Sequence, residues 1–227
     1  DDLQETPEFR LRTARQIEDT ELKVVDQQTA QAQVRIEFAD GTYNPDDAVL
    51  SSIYTNYFGS GMSSVVFQEL REARALAYSA QARYSQGSRE NAENLMLGVI
   101  GTQTDKTVDA LTAFLDLIDN MPRSSERFEE SVNSLLNRYR TAKLNFREVI
   151  GAVRSWERLG FETDPRRERF QQLQDASLEE LLAFQQEHVQ NRPKLISIVG
   201  DLSIIDKNEL EQFGTVEEVQ VDQLFVE

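Results

Sequence analysis

Apolar positions recur along the chain in two rhythms, a two-residue alternation and a helical three-to-four spacing, and their order outlines a fold. Gln33-Val34-Arg35-Ile36-Glu37-Phe38 alternates strictly and predicts a half-buried strand with Val34, Ile36 and Phe38 on one face. Leu22–Val25 precedes it as a short strand, and Asp40-Gly41 follows as a turn. Ala77–Ser85 alternates again, with Tyr78, Ala80, Ala82 and Tyr84 sharing a face, while Leu95–Ile100 is apolar on both faces, as suits a central strand. Lys194–Val199, ending at Gly200, supplies a last strand.

Helical spacing fills the intervals. Asn44-Pro45 reads as an N-cap followed by proline at the first helical position, opening a helix to about Phe58 with Val49, Leu50, Ile53 and Tyr54 inward. Gly59-Ser60-Gly61 breaks it, and a second helix over Ser63–Arg74 places Val66 and Leu70 on one side. Further helices are predicted over Asp105–Met121, stopped by Pro122, and over 125–146, with Phe128, Leu135, Leu136 and Phe146 on its apolar stripe. A helical pair around Trp156 and Phe170 divides at Thr163-Asp164-Pro165, and Ser177-Leu178-Glu179-Glu180 is a capping box opening a helix to about Val189. The order β-β-α-α-β-β-α-α-(α-α)-α-β describes an α+β fold, a mostly antiparallel sheet covered by helices, in which adjacent strands run antiparallel. The division is a leading segment or linker over 1–20, a domain over 21–203, and a tail over 204–227 that packs on the domain or leaves it.

Composition narrows the chemistry. With 39% hydrophobic residues in 227, the chain can bury a sizeable core, and no apolar run approaches the ~20 residues of a membrane-spanning helix. Cysteine is absent, which excludes disulfides, thiolate metal sites and a cysteine nucleophile. The net charge of −16 opposes both nucleic acid, whose binding rests on basic side chains, and an anionic membrane surface. His188 is the single histidine, so a two-histidine zinc site cannot be built from this chain alone. The chain opens on Asp rather than Met and its first residues carry no leader pattern, which leaves periplasmic and cytoplasmic settings equally open.

Several stretches imitate functional motifs. Gly59-Ser60-Gly61-Met62 lacks the lysine of a phosphate-binding loop and reads as a turn and cap. Phe184-Gln185-Gln186-Glu187-His188 has the outline of the inverted zinc motif His-x-x-Glu-His, but phenylalanine cannot coordinate a metal, so His188 reads as a surface histidine at a helix C-terminus. Glu126, Glu129, Glu130, Glu179 and Glu180 read as solvated helix faces, and Arg166-Arg167-Arg169 as a short basic patch. More specific is Phe67-Gln68-Glu69-Leu70-Arg71-Glu72-Ala73-Arg74-Ala75-Leu76-Ala77-Tyr78-Ser79, which sets Arg71 late in a helix and Tyr78 early in the next strand. An arginine fork and a phenol O–H converging on one point can hold a peptide carbonyl and the charge it gains when attacked. On residue chemistry alone the plainer reading leads, Arg71 in a surface ion pair and Tyr78 a half-buried strand residue.

That segment, Phe-x-Glu-Leu-Arg-Glu-x-x-x-Leu-Ala-Tyr-Ser after the Gly59–Ser64 turn, resembles the C-terminal-type domain of the M16 metallopeptidases, the pitrilysin/insulinase family, and the resemblance extends more weakly from about Leu22 to about Leu202. It implies that two homologous halves close on a peptide, one carrying zinc and the other contributing an Arg and a Tyr, here Arg71 and Tyr78. It therefore implies a zinc-free half whose Zn2+ lies in a separate zinc-bearing partner domain, with peptide as substrate; the acidic net charge favours basic peptides. The family usually places glycine between the two donors where this chain has Ala75. A non-catalytic scaffold subunit, or a peptide-binding module of the same fold, is the alternative.

Overall fold

Register decides which residues share a face, and across the four central pairings of the sheet most buried residues of one strand lie opposite buried residues of the next. The computed structural model describes residues 13–224. Six strands, β1 (Glu21–Asp26), β2 (Gln31–Thr42), β3 (Ser79–Ser85), β4 (Glu93–Gln103), β5 (Leu195–Gly200) and β6 (Thr215–Glu218), form one sheet in the order β3-β4-β2-β5-β1-β6. Val34 lies opposite Ile100 and Ile198, Ile36 opposite Gly98 and Ile196, and Ala80 opposite Ile100, so one continuous apolar face results. The alternate residues, such as Gln33, Arg35 and Arg83, are exposed, and Leu95, Leu97 and Val99 are half-buried on that second face.

The sheet is mostly antiparallel, but β1 pairs in parallel with both β5 and β6. The expectation that adjacent strands run antiparallel fails at β1, whose neighbours β5 and β6 both run parallel to it, with β5 lying between β1 and β2. Alternation reports faces and not neighbours, so the split was invisible in the pattern. β6 and the short helix α7 (Lys207–Leu210) come from residues 204–227, and Lys23 of β1 pairs with Glu217 of β6.

Helices cover the apolar face. Asn44 accepts from the Asp46 N–H and Pro45 opens a 3-10 turn that leads into α1 (Ala48–Tyr54). The winding then widens to a π-helical turn over Thr55–Gly59, and Phe67–Ala73 is π-helical too. The first π segment seals edge strand β3: Thr55 Oγ1 accepts from the Tyr84 N–H at 3.0 Å and donates to the Tyr84 carbonyl at 3.2 Å. A Cβ on Gly59 would fall 2.1 Å from the Ala82 carbonyl oxygen, so glycine permits this contact.

α2 (Thr107–Asp119) crosses β4 and β2, laying the fully buried Phe114 ring over Gly98. Burying such a ring contributes about 2–3 kcal/mol. α3 (Ser125–Thr141) ends earlier than its apolar spacing suggested, and Phe146 is 78% exposed in the connection to α4 (Val149–Arg158). α5 (Arg166–Asp175) packs on α3 and α1. The capping box of α6 (Leu178–His188) forms reciprocally, Ser177 accepting from the Glu180 N–H while the Glu180 carboxylate accepts from the Ser177 N–H.

Candidate functional site

Arg71 belongs to the π-helical segment Phe67–Ala73, whose wider winding ends in a tight reversal. There the Leu76 N–H donates to the Leu70 carbonyl at 2.8 Å, and Ala75 takes a left-handed backbone, φ +49°. Glycine enters that region without strain and alanine does not, which gives a physical meaning to the departure at Ala75. Thr102 Oγ1 fastens the reversal by donating to the Leu76 carbonyl at 2.6 Å.

Tyr78 then departs from the alternation predicted for it. Ala77 and Ala80 are both buried, so the inward-outward rhythm slips between them and Tyr78 turns outward, 52% exposed. Its backbone still joins the sheet, donating to the Gly101 carbonyl at 2.8 Å. The result is a cavity of about 290 Å³ at the end of β3 and β4, lined by Arg71, Ala75, Tyr78, Gln103 and Lys106 among others.

Within it the Arg71 guanidinium rests over the Phe67 ring at 4.8 Å, with its Nε 3.6 Å from a Glu72 carboxylate oxygen. Gln103 Nε2 donates to the Tyr78 hydroxyl at 3.0 Å, which leaves the phenol's own proton free to be donated elsewhere. Lys106 Nζ reaches the Ala75 carbonyl at 3.5 Å. Arg71 and Tyr78, distant by seven positions, thus meet at one cavity. Gln103 and Lys106 escaped the sequence reading because only strand register carries them there: residue 78 pairs beside Gly101, two positions before Gln103. The lining holds two cations and no carboxylate, so the acidic net charge of the chain gives no local preference for basic peptides.

His188 corrects its sequence reading. It is not a surface residue: its side chain is 17% exposed, and Nδ1 lies 2.7 Å from Oδ2 of the buried Asp40. Tyr84 donates to the same oxygen at 2.7 Å, and Arg192 pairs with Asp40 Oδ1 at 2.7 Å. The β2 bulge at Gly41, φ +51°, brings Asp40 beneath the C-terminus of α6. Burial, and after it the hydrogen bond to Asp40, push the Tyr84 phenol well up.

The donors present do not suit zinc. Phe184, at the place of the first histidine of the inverted motif, is buried against the Tyr84 and His188 rings. Among the described residues no group of three or more His, Cys, Asp or Glu side chains is placed to hold a metal ion.

The sequence profile of the family described as "Peptidase M16 inactive domain" matches residues 2–135, more than half of the chain. The chain belongs to this M16 inactive-domain family. A search among curated proteins found no match. Solved structures agree on the fold. The peptidase M16 inactive domain from Pseudomonas fluorescens superposes with TM-score 0.70 at 15% identity, over 81% of this chain and 44% of that one. A protease from Helicobacter pylori gives TM-score 0.66 at 14% identity, over 79% and 43%. A chain of Complex III2 from Candida albicans gives 0.62 at 13% identity, over 87% and 50%. This M16 domain therefore spans about half the length of the structures it resembles or less.

Proposed function

We propose that this chain is the zinc-free, substrate-contacting half of an M16-type metallopeptidase, acting with a separate zinc-bearing domain of the same family. Peptide-bond hydrolysis belongs to the joined halves, and this chain alone is inactive. Tyr78 donates its hydroxyl proton toward the carbonyl oxygen of the bound peptide as that oxygen gains charge. Arg71 presents its fork to the substrate backbone, and Gln103, as the donor to Tyr78, aims the phenol outward. The observation that carries this reading is the meeting of Arg71 and Tyr78 at one small, locally basic cavity, with the tyrosine proton unspent.

The test uses this chain reconstituted with its zinc-bearing half. Tyr78→Phe removes one hydroxyl from an exposed position, so folding is unchanged and kcat falls by about 10²–10³, with KM moving much less. Unchanged kcat in that variant sinks the catalytic reading. A second reading, a non-catalytic subunit of an assembly, has support in the Complex III2 chain of the same fold. Under it, Tyr78→Phe and Arg71→Lys leave activity and assembly alone.

A further inference from the structure

Charge is distributed unevenly in this protein. Residues 138–170 hold nine basic and five acidic side chains, a net +4 inside a chain of −16, which leaves −20 for the remainder. This stretch comprises the end of α3, all of α4 and the start of α5, and it lies beyond the family-profile match, which ends at residue 135. Among the described residues its one ion pair is Arg166 with Asp164. Arg138 and Arg167 make none, in a chain that offers 40 carboxylates.

Both unpaired arginines overlook an apolar floor. They line a cavity of about 530 Å³ with Val49, Leu135, Phe170 and Leu173. Asp164 is shared with an adjoining groove of about 470 Å³ that includes Val153, Trp156 and Phe161 together with the carboxylates Glu157 and Glu162, so the cations gather at the first cavity and the groove adds mainly aromatic surface. Cations and aromatic faces alternate along the way: the Arg166 guanidinium lies over Trp156 at 5.3 Å and that of Arg169 over Phe161 at 5.1 Å. Beside the trough, α4 buries no residue, and Phe146, Val149, Ile150 and Val153 stand exposed at helical i, i+3, i+4, i+7 spacing.

We propose that this trough is a docking site for an extended acidic segment of a partner protein, one that alternates carboxylates with aliphatic or aromatic side chains, its carboxylates set over Arg138 and Arg167 and its apolar side chains against the floor and the groove beside Trp156. Arginine forks without a carboxylate select one from the ligand, and the apolar floor selects its neighbour side chain. The two joined cavities together reach the upper end of the space a small-molecule site takes, and their length matches a run of several residues. An anionic bilayer suits it less, because the site is concave and such a surface would repel the −20 carried by the rest of the chain. The trough shares no lining residue with the Arg71–Tyr78 cavity, so the proposal stands apart from the catalytic reading.

The probe is a labelled ten-residue peptide of alternating Glu with Leu or Phe, titrated with the full chain and followed by anisotropy and by the emission of Trp156, the only tryptophan. Saturable binding that weakens with salt and shifts the Trp156 emission is expected. Arg138→Glu/Arg167→Glu, both at exposed positions, lowers affinity at least about tenfold with an unchanged melting curve. Replacing Leu and Phe in the peptide by Gly weakens it comparably. The proposal is overturned if no saturable binding occurs, if the double variant binds as the native chain does, or if the Gly peptide binds equally well. Capture by phosphatidylserine-containing vesicles, with the peptide ignored, overturns it in favour of a membrane.

Discussion

Ala75 holds a left-handed backbone, φ +49°, at the reversal that carries the chain from Arg71 to Tyr78. For a residue with a Cβ this conformation costs about 1–2 kcal/mol, and the greater freedom of glycine in the unfolded chain returns part of the gain. Ala75→Gly is therefore expected to raise stability by up to about 1 kcal/mol, read as a higher urea midpoint at unchanged slope. A lower midpoint would show that Ala75 is held by packing and not strained by its backbone. Asp40 presents the opposite situation, a buried carboxylate satisfied by His188, Tyr84 and Arg192. His188→Ala removes one of those partners and the ring stacked on Phe184, so a loss of about 1–3 kcal/mol is expected in denaturant titration. A loss below about 0.5 kcal/mol would return His188 to the role of an ordinary surface residue. Arg71 and Tyr78 were singled out through the resemblance of their segment to the M16 motif, since residue chemistry alone favoured the plainer reading. Gln103, Lys106 and Asp40 were not, because each acquires its partners from a strand register or a bulge that local patterning does not encode.

Among the elements, those with local instructions were read directly from the chain. The Asn44-Pro45 start, the division at Asp164-Pro165 and the Ser177 capping box all form where their side chains can satisfy free backbone groups. The two π-helical segments were not legible, since the same apolar spacing serves an α-helix and the wider winding is set by what the segment packs against. At Thr55–Gly59 that neighbour is the β3 backbone, and Gly59→Ala tests the contact. Its Cβ would meet the Ala82 carbonyl oxygen at 2.1 Å, backbone against side chain, so the edge strand or the turn must move. A destabilisation of about 1–3 kcal/mol is expected, with faster amide exchange along β3. Unaltered exchange there would mean that the edge is not sealed by this turn. α4 shows the other limit of patterning: its apolar stripe is as regular as that of α2, yet it faces solvent. Periodicity specifies a face and is silent on whether the chain itself supplies the cover.

At the scale of the whole molecule, buried phenols couple the fold to alkaline pH. Burial holds the Tyr54 phenol far above its ordinary value, with Asp119 adding to it, and burial with the Asp40 contact does the same for Tyr84. Above about pH 10 the unfolded chain releases these protons while the folded chain retains them, so stability present below that pH is lost as pH rises. Each such tyrosine contributes a slope of up to about −1.4 kcal/mol per pH unit. Lys194 acts in the other direction: burial lowers its value, against the opposing pull of Asp119, so near its unfolded value of about 10.5 the unfolded chain binds more protons and stability rises with pH. Two phenols outweigh one ammonium, and the net expectation is a steep fall between about pH 10 and 11.5. Tyr84→Phe separates the contributions. It removes a donor to Asp40, so the variant is less stable by about 1–2 kcal/mol near pH 8. It also removes one retained proton, so its stability declines less steeply above pH 10 and the two curves converge there. Parallel curves in urea titrations from pH 8 to 11.5 would show that Tyr84 ionises in the fold as readily as in the unfolded chain, and that its bond to Asp40 holds no proton against base.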